Sequence, residues 1–131
     1  MELTHSYHSV FSLNYHLVLV VACRRAVLTE RVLERCLEIT RDIAVDFNAA
    51  VVEANGENDH IHILLSAPPD FNLCRMINSL KTVTSRRLKK EFPEIRKKLW
   101  KEKFWTSSYF VVTAGGAPLE VIKKYIEEQG V

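Results

Sequence analysis

Two histidines separated by a single residue, His60-Ile61-His62, stand inside the run Asn58-Asp59-His60-Ile61-His62-Ile63-Leu64-Leu65. On a β-strand alternate residues share a face. Both imidazoles therefore point one way, while Ile61, Ile63 and Leu65 point the other way into a core. Neutral imidazole is a ligand for divalent metals, so the pair supplies two-thirds of a metal site and needs a third donor. Two histidines satisfied by neighbouring polar groups account for the pair alone equally well. Near the C-terminus, Tyr125 and Gln129 are four residues apart, one turn above each other on the same helical face. An amphipathic core tyrosine and a polar helix end explain that spacing most simply. If this helix folds over the histidine face, however, Gln129 offers a carbonyl oxygen to the metal. Tyr125 then presents its hydroxyl beside a Lewis acid, which is what a nucleophilic tyrosine requires.

The elements that must position these groups can be read from periodicity. Val10 to Val21 is a long apolar, β-branched run, which predicts a central strand buried on both faces. Thr29 is placed to cap a helix carrying Val32, Leu33, Cys36, Leu37, Thr40, Ile43, Ala44 and Phe47 at helical spacing. Ala49 to Ala54 predicts a second strand, joined to the histidine strand as a hairpin through Asn55-Gly56 and Glu57-Asn58-Asp59. Pro68-Pro69 ends that strand. Asn72 then caps a second helix, with Leu73, Met76, Ile77, Leu80, Thr84 and Leu88 on one side and Pro93 past its end. Phe104 to Thr113 predicts a fourth strand. Gly115-Gly116 follows, and Pro118 opens a terminal helix over about 118–129. The order is βαββαβ with an added C-terminal helix, the split βαβ pattern of an α+β, ferredoxin-like antiparallel sheet. Both main helices then cover Ile61, Ile63 and Leu65 and leave the histidine face open. A chain of 131 residues has the size of one domain.

With 47% hydrophobic and 26% charged residues, the composition is that of an ordinary globular protein. No apolar run approaches a membrane span, and Met1 to Tyr7 lacks the parts of a signal peptide; a cytoplasmic location is expected. Cys23, Cys36 and Cys74 are odd in number and widely spaced, which predicts reduced thiols and argues against a zinc finger. The net charge of +2 conceals an asymmetry: residues 75–103 carry eleven basic and three acidic side chains, and the rest of the chain is net acidic. So one-sided a block favours a polyanionic partner. Arg86, Arg87, Lys89 and Lys90 also lie in the last turns of the second helix, where cations favour the helix dipole. That structural reason does not extend to the basic linker through Lys103. Candidate phosphate contacts are Lys81, Arg86, Arg87 and Lys90, together with Arg24 and Arg25 after the first strand. Trp100 and Trp105 either stack on bases or fill core.

Taken together, the chain resembles the small single-tyrosine HUH transposases, TnpA type, of bacterial and archaeal insertion sequences. The resemblance runs from about Val10 to Gln129. It rests on Tyr15-His16, Arg24-Arg25, Asp59-His60-Ile61-His62-Ile63-Leu64, Ser79-Leu80-Lys81, Phe92-Pro93-Glu94, Leu99-Trp100, Phe104-Trp105-Thr106-Ser107-Ser108-Tyr109 and Tyr125-Ile126-Glu127-Glu128-Gln129. It implies that His60 and His62 form the HUH pair binding Mg2+ or Mn2+, with Gln129 as third ligand. It further implies that Tyr125 attacks a DNA phosphodiester, leaving a 5′-phosphotyrosine and a free 3′-hydroxyl. The implied partners are single-stranded DNA with hairpin ends and a second copy of the chain, in a homodimer whose terminal helices can serve each other's histidine pairs. Ala22-Cys23 departs from the Lys-Tyr that family members often carry before the arginine pair, which bears on a surface contact only. The rival expectation is a catalytically inactive relative of the same fold that binds hairpin DNA or RNA. Sheets of this kind also bind RNA, but through aromatics on the central strands, where this chain has histidines.

Overall fold

The structure, a computed structural model, describes residues 4–5, 10–11, 13–113 and 119–128. Its elements in chain order are β1 (Thr4–His5), β2 (Val10–Phe11), β3 (Asn14–Val20), α1 (Glu30–Asp46), β4 (Ala50–Gly56), β5 (His60–Ser66), α2 (Leu73–Glu91), β6 (Phe110–Thr113) and α3 (Leu119–Glu128). β3 to β6 form one antiparallel sheet in the order β4-β5-β3-β6. With α1 and α2 this is the ferredoxin-like α+β arrangement expected, and α3 is the added helix. Among the described residues no helix is long and apolar enough to cross a membrane.

The long apolar run from Val10 is divided. Val10 and Phe11 pair with His5 and Thr4 in a two-stranded ribbon, and the central strand proper begins at Asn14. β5 pairs with all seven residues Asn14–Val20 and β6 with Tyr15–Val18, so the pairing that defines the central strand starts only at Asn14. β6 is also shorter than the expected Phe104–Thr113. Phe104 and Trp105 are buried core residues in a loop, with Trp105 making one isolated bridge to Val21. Their apolar character reflects core packing rather than strand pairing.

Periodicity and burial agree in both helices. α1 buries Val32, Cys36, Ile39, Thr40, Ile43 and Ala44, and α2 buries Met76, Ile77, Leu80, Thr84 and Leu88. These stripes cover Leu17, Leu19, Ile61, Ile63 and Leu65 on the underside of the sheet. The Asn72 carboxamide oxygen accepts the Arg75 amide at 3.1 Å, as an N-cap should. Thr29 contributes no side-chain cap. The three cysteines are free thiols, and burial raises the Cys36 thiol to about 12. The Thr84 hydroxyl lies in the core, where it donates to the Leu80 carbonyl and accepts the Trp105 indole N–H at 2.9 Å. That pair pins the 100–107 loop to α2.

Two substitutions test this frame. A Cβ at Gly56 would lie 2.7 Å from Leu33 Cδ1 and 2.8 Å from the His60 carbonyl oxygen. The second neighbour is backbone and cannot yield cheaply, so Gly56→Ala is expected to destabilise by about 1–3 kcal/mol. Thr84→Val leaves the buried Trp105 N–H without an acceptor and is expected to cost about 1–3 kcal/mol. Chemical denaturation checks both, and wild-type midpoints would refute the packing described.

Candidate metal and nucleophile site

The register between β3 and β5 sets the upper face of the sheet. Val20 pairs with His60, Val18 with His62 and His16 with Leu64, so these six residues share one face. β6 adds Phe110 opposite Val18, and β4 adds Asn55 opposite His62. The face is not left open. Val18 and Val20 are buried beneath Phe110, Tyr125 and Ile126, so α3 lies across β3 next to the two histidines. The Tyr125 ring packs on Phe110 with centroids 5.0 Å apart, and its hydroxyl donates to the Ser108 Oγ at 3.4 Å.

His60 is held by the residue before it. Asp59 is buried, and its Oδ1 lies 2.9 Å from His60 Nδ1. The other carboxylate oxygen accepts Arg24 Nε at 2.8 Å. This arrangement fixes the imidazole ring and leaves Nε2 free for a ligand, as carboxylate–histidine pairs do in metal sites. Burial by itself raises the Asp59 carboxyl, but the hydrogen bonds from His60 and Arg24 and the Arg24 charge outweigh it. The net pKa is below the ordinary carboxylate value. Arg24 reaches Asp59 from a turn in which Cys23 and Arg24 have φ of 56° and 49°, strained for residues with side chains. Its other arm lies 3.5 Å from the Glu127 carbonyl oxygen in the last turn of α3. The expected DNA contact at Arg24 thus has an internal partner, while Arg25 is exposed.

His62 has a partner that sequence reasoning did not single out. His16 Nδ1 lies 3.0 Å from His62 Nε2, and the two rings stack at 5.2 Å. Burial, then the neighbouring His16, lowers the His62 pKa, so the neutral, metal-binding form is favoured. The signal for His16 was its parity with Val18 and Val20 on β3, which only the cross-strand register converts into contact with His62. Glu57, Asp59 and His60 bring three ligand atoms within 4.8 Å of one another, a group able to hold a metal ion. The donor set on this face, imidazole nitrogens with carboxylate oxygens beside them, fits a divalent cation. Gln129, the expected third ligand, lies outside the described residues, as do Gly115, Gly116 and Pro118.

The candidate phosphate contacts sit elsewhere, on α2. Arg86 and Lys90 are exposed; Lys81 and Arg87 are half-buried, and Arg87 lies 3.7 Å from Glu91. Trp100 is exposed and Trp105 is core.

Comparison with known proteins is consistent with this geometry. The family described as IS200-like transposase matches residues 9–129. The ISDra2 transposase TnpA of Deinococcus radiodurans is 35% identical over 120 residues, covering 92% of this chain and 86% of that protein. The transposase of insertion sequence IS200 from Salmonella typhimurium is 29% identical over 122 residues, covering 93% and 80%. A solved Deinococcus radiodurans R1 chain assigned as a transposase superposes with a TM-score of 0.88 at 30% identity, covering 96% of this chain and 97% of that one. A REP-associated tyrosine transposase bound to a REP hairpin shares the fold, with a TM-score of 0.57 at 10% identity over 95% and 69% of the two chains.

The Asp59 environment has a measurable consequence. Its folded pKa lies below the unfolded value of about 3.9, so its stabilisation is present above about pH 4 and is lost as pH falls through the folded value. The melting temperature of Asp59→Asn should therefore fall below wild type at pH 7, and the gap should narrow as pH drops below 4. A gap independent of pH in calorimetry would show that the Asp59 charge is not what the ion pair and histidine contact use.

Proposed function

The chain belongs to the IS200-like transposase family, and we propose that it cleaves and rejoins single-stranded DNA at insertion-sequence ends with Tyr125 as nucleophile. The observation that carries this reading is the seating of Tyr125. It packs on Val18 and Val20, the direct cross-strand partners of His62 and His60. A phenol is thereby held beside the strand that carries two imidazoles of the kind that bind divalent metals, on a face the two main helices do not use.

In the proposed reaction the Tyr125 oxygen attacks the phosphorus of one phosphodiester as the bond from phosphorus to the 3′-oxygen breaks. The phenolic proton leaves as the new bond forms, and the departing 3′-oxygen takes up a proton. The products are a 5′-phosphotyrosine and a 3′-hydroxyl. Because one phosphodiester replaces another, the bond energy is kept and a 3′-hydroxyl can reverse the step without a nucleotide cofactor. His60 through Nε2 and His62 would hold Mg2+ or Mn2+, with Gln129 matching the family's third ligand. When bound, the cation polarises the scissile phosphate and stabilises its developing charge. Asp59 keeps the His60 ring in the orientation that exposes Nε2. The Tyr125 hydroxyl must turn from Ser108 toward the phosphate before it reacts. Arg25, Lys81, Arg86, Arg87 and Lys90 serve as backbone contacts, and Arg24 acts chiefly through Asp59.

The active assembly in this reading is a homodimer in which α3 can also serve the partner's histidines. The rival reading, a hairpin-binding relative without chemistry, draws on the 3.0 Å contact that occupies His62 Nε2. That contact must open for His62 to bind a metal through Nε2.

Covalent trapping separates the two. Labelled single-stranded DNA carrying an element-end hairpin is incubated with protein and Mn2+ or EDTA. A denaturation-resistant adduct is expected with Mn2+, absent with EDTA and reduced at least about a thousandfold in Tyr125→Phe. Tight hairpin binding with no adduct in any metal would establish the binding-only reading.

A further inference from the structure

A cleft of about 590 Å³ lies between α2 and the loop before β6, lined among others by Lys81, Ser85, Arg86, Lys89, Lys103 and Ser107. A second hollow of about 310 Å³ shares Lys103, Thr106 and Ser107 with it and continues past Cys23 and Trp100 to Glu128, at the end of α3. The two form one track from the basic face of α2 to the last turn of the helix that carries Tyr125.

The junction of the track is electrostatically incomplete. Lys81 Nζ donates to the Ser107 carbonyl oxygen at 3.2 Å, and Lys103 Nζ donates to the Ser107 hydroxyl at 2.8 Å. Two ammonium groups thus converge on one residue. Among the described residues no carboxylate pairs with Lys81, Lys103, Arg86 or Lys89; of the acids lining the track, Glu102 is 3.3 Å from Arg96 and Glu128 stands at its far end. Lys81 is half-buried as a residue, and a merely solvated lysine face does not converge two amines on one serine. Each ammonium has further donors to place, and an anion between them supplies both acceptors and the missing charge.

Beside this junction Trp100 is 44% exposed. It stands at the start of a turn in which Lys101 and Glu102 have φ of 50° and 58°, and Lys101 Nζ lies 4.7 Å from its ring centroid. An indole held in the open by a strained turn is a stacking platform for an unpaired base. The next residue along from Ser107 is Ser108, which accepts the Tyr125 hydroxyl. We propose that Lys81, Lys103 and Ser107 seat a backbone phosphate of the single strand and that Trp100 stacks a neighbouring base, so that the strand is delivered to Tyr125 along this track. The assignment rests on the single-strand reading above and adds the residues that hold the strand beside the nucleophile.

Binding of 5′-fluorescein-labelled dT12, read by anisotropy in EDTA over a salt series, tests the subsite without any cleavage. Lys98→Gln removes one charge from the same basic segment outside the track and serves as the control. Lys103→Gln is expected to weaken binding about fivefold or more and to reduce the salt slope by about 0.7, against less than about twofold for Lys98→Gln. Trp100→Ala is expected to cost about tenfold, the lower range of one base stack, with most of it restored in Trp100→Phe. Equal effects of Lys103→Gln and Lys98→Gln, or an unchanged Trp100→Ala, would overturn the subsite and leave only a diffuse positive field. If dT12 shows this pattern but Tyr125 forms no adduct, the chemistry fails and the subsite stands. If wild type forms the adduct but dT12 lacks this pattern, the subsite fails and the chemistry stands.

Discussion

The antiparallel pairing of β3 with β5 is the constraint on which the other features depend. Seven consecutive cross-strand pairs join Asn14–Val20 to His60–Ser66. Because side chains alternate, this one register sends Ile61, Ile63, Leu65, Leu17 and Leu19 into the helical core. It sends His60, His62, Val18, Val20 and His16 to the other face. A slip of one residue would bury both imidazoles and expose the isoleucines. The apolar underside therefore enforces the position of the polar site. The same register provides the Val18–Val20 seat on which Tyr125 and Ile126 rest.

Around that frame the chain tolerates several local conflicts, and they cluster. Two turns with consecutive left-handed residues, Cys23-Arg24 and Lys101-Glu102, adjoin the hollow that ends at Glu128, which Cys23, Trp100 and Lys103 line. Asp59 is buried but kept ionised by Arg24 and His60. Burial, then the Lys103 charge, lowers the Lys81 ammonium pKa. Neither the left-handed turns nor the desolvated Lys81 ammonium is what stability alone would select, and strain and unmatched charge of this kind concentrate at functional sites. These features run from the α2 cleft to the end of α3 and are consistent with a surface shaped for a phosphodiester strand.

Much of this was readable in the residues. The alternation around His60 and His62 and the 3.6-residue stripes of both helices point to the ferredoxin-like order, because each reports one periodicity against one core. What was not readable depends on pairing between distant segments. Val10 and Phe11 are as apolar as Val18 and Val20, and only the ends of β5 and β6 decide where the central strand begins. Phe104 and Trp105 looked like strand because buried loop aromatics and strand aromatics have the same composition. The carboxylate partner of Arg24 is not legible in the sequence because it lies thirty-five residues away. His16, recognisable only within the Tyr15-His16 pair, has no legible site role in the sequence for the same reason, its neighbour being His62 across the sheet. Lys103 and Trp100 acquire meaning only once the loop folds back on α2 through the Trp105–Thr84 hydrogen bond.

Everything proposed for the chemistry requires the upper sheet face to bind a divalent cation through His60 and His62 next to Tyr125. A crystal of the protein soaked in Mn2+, with anomalous diffraction recorded at the manganese edge, would locate that cation. One strong anomalous peak is expected at bonding distance from His60 Nε2 and a His62 ring nitrogen, with the His16–His62 contact opened to admit it. A peak held by the Glu57 and Asp59 carboxylates without His62, or no peak on this face at all, would refute the assignment.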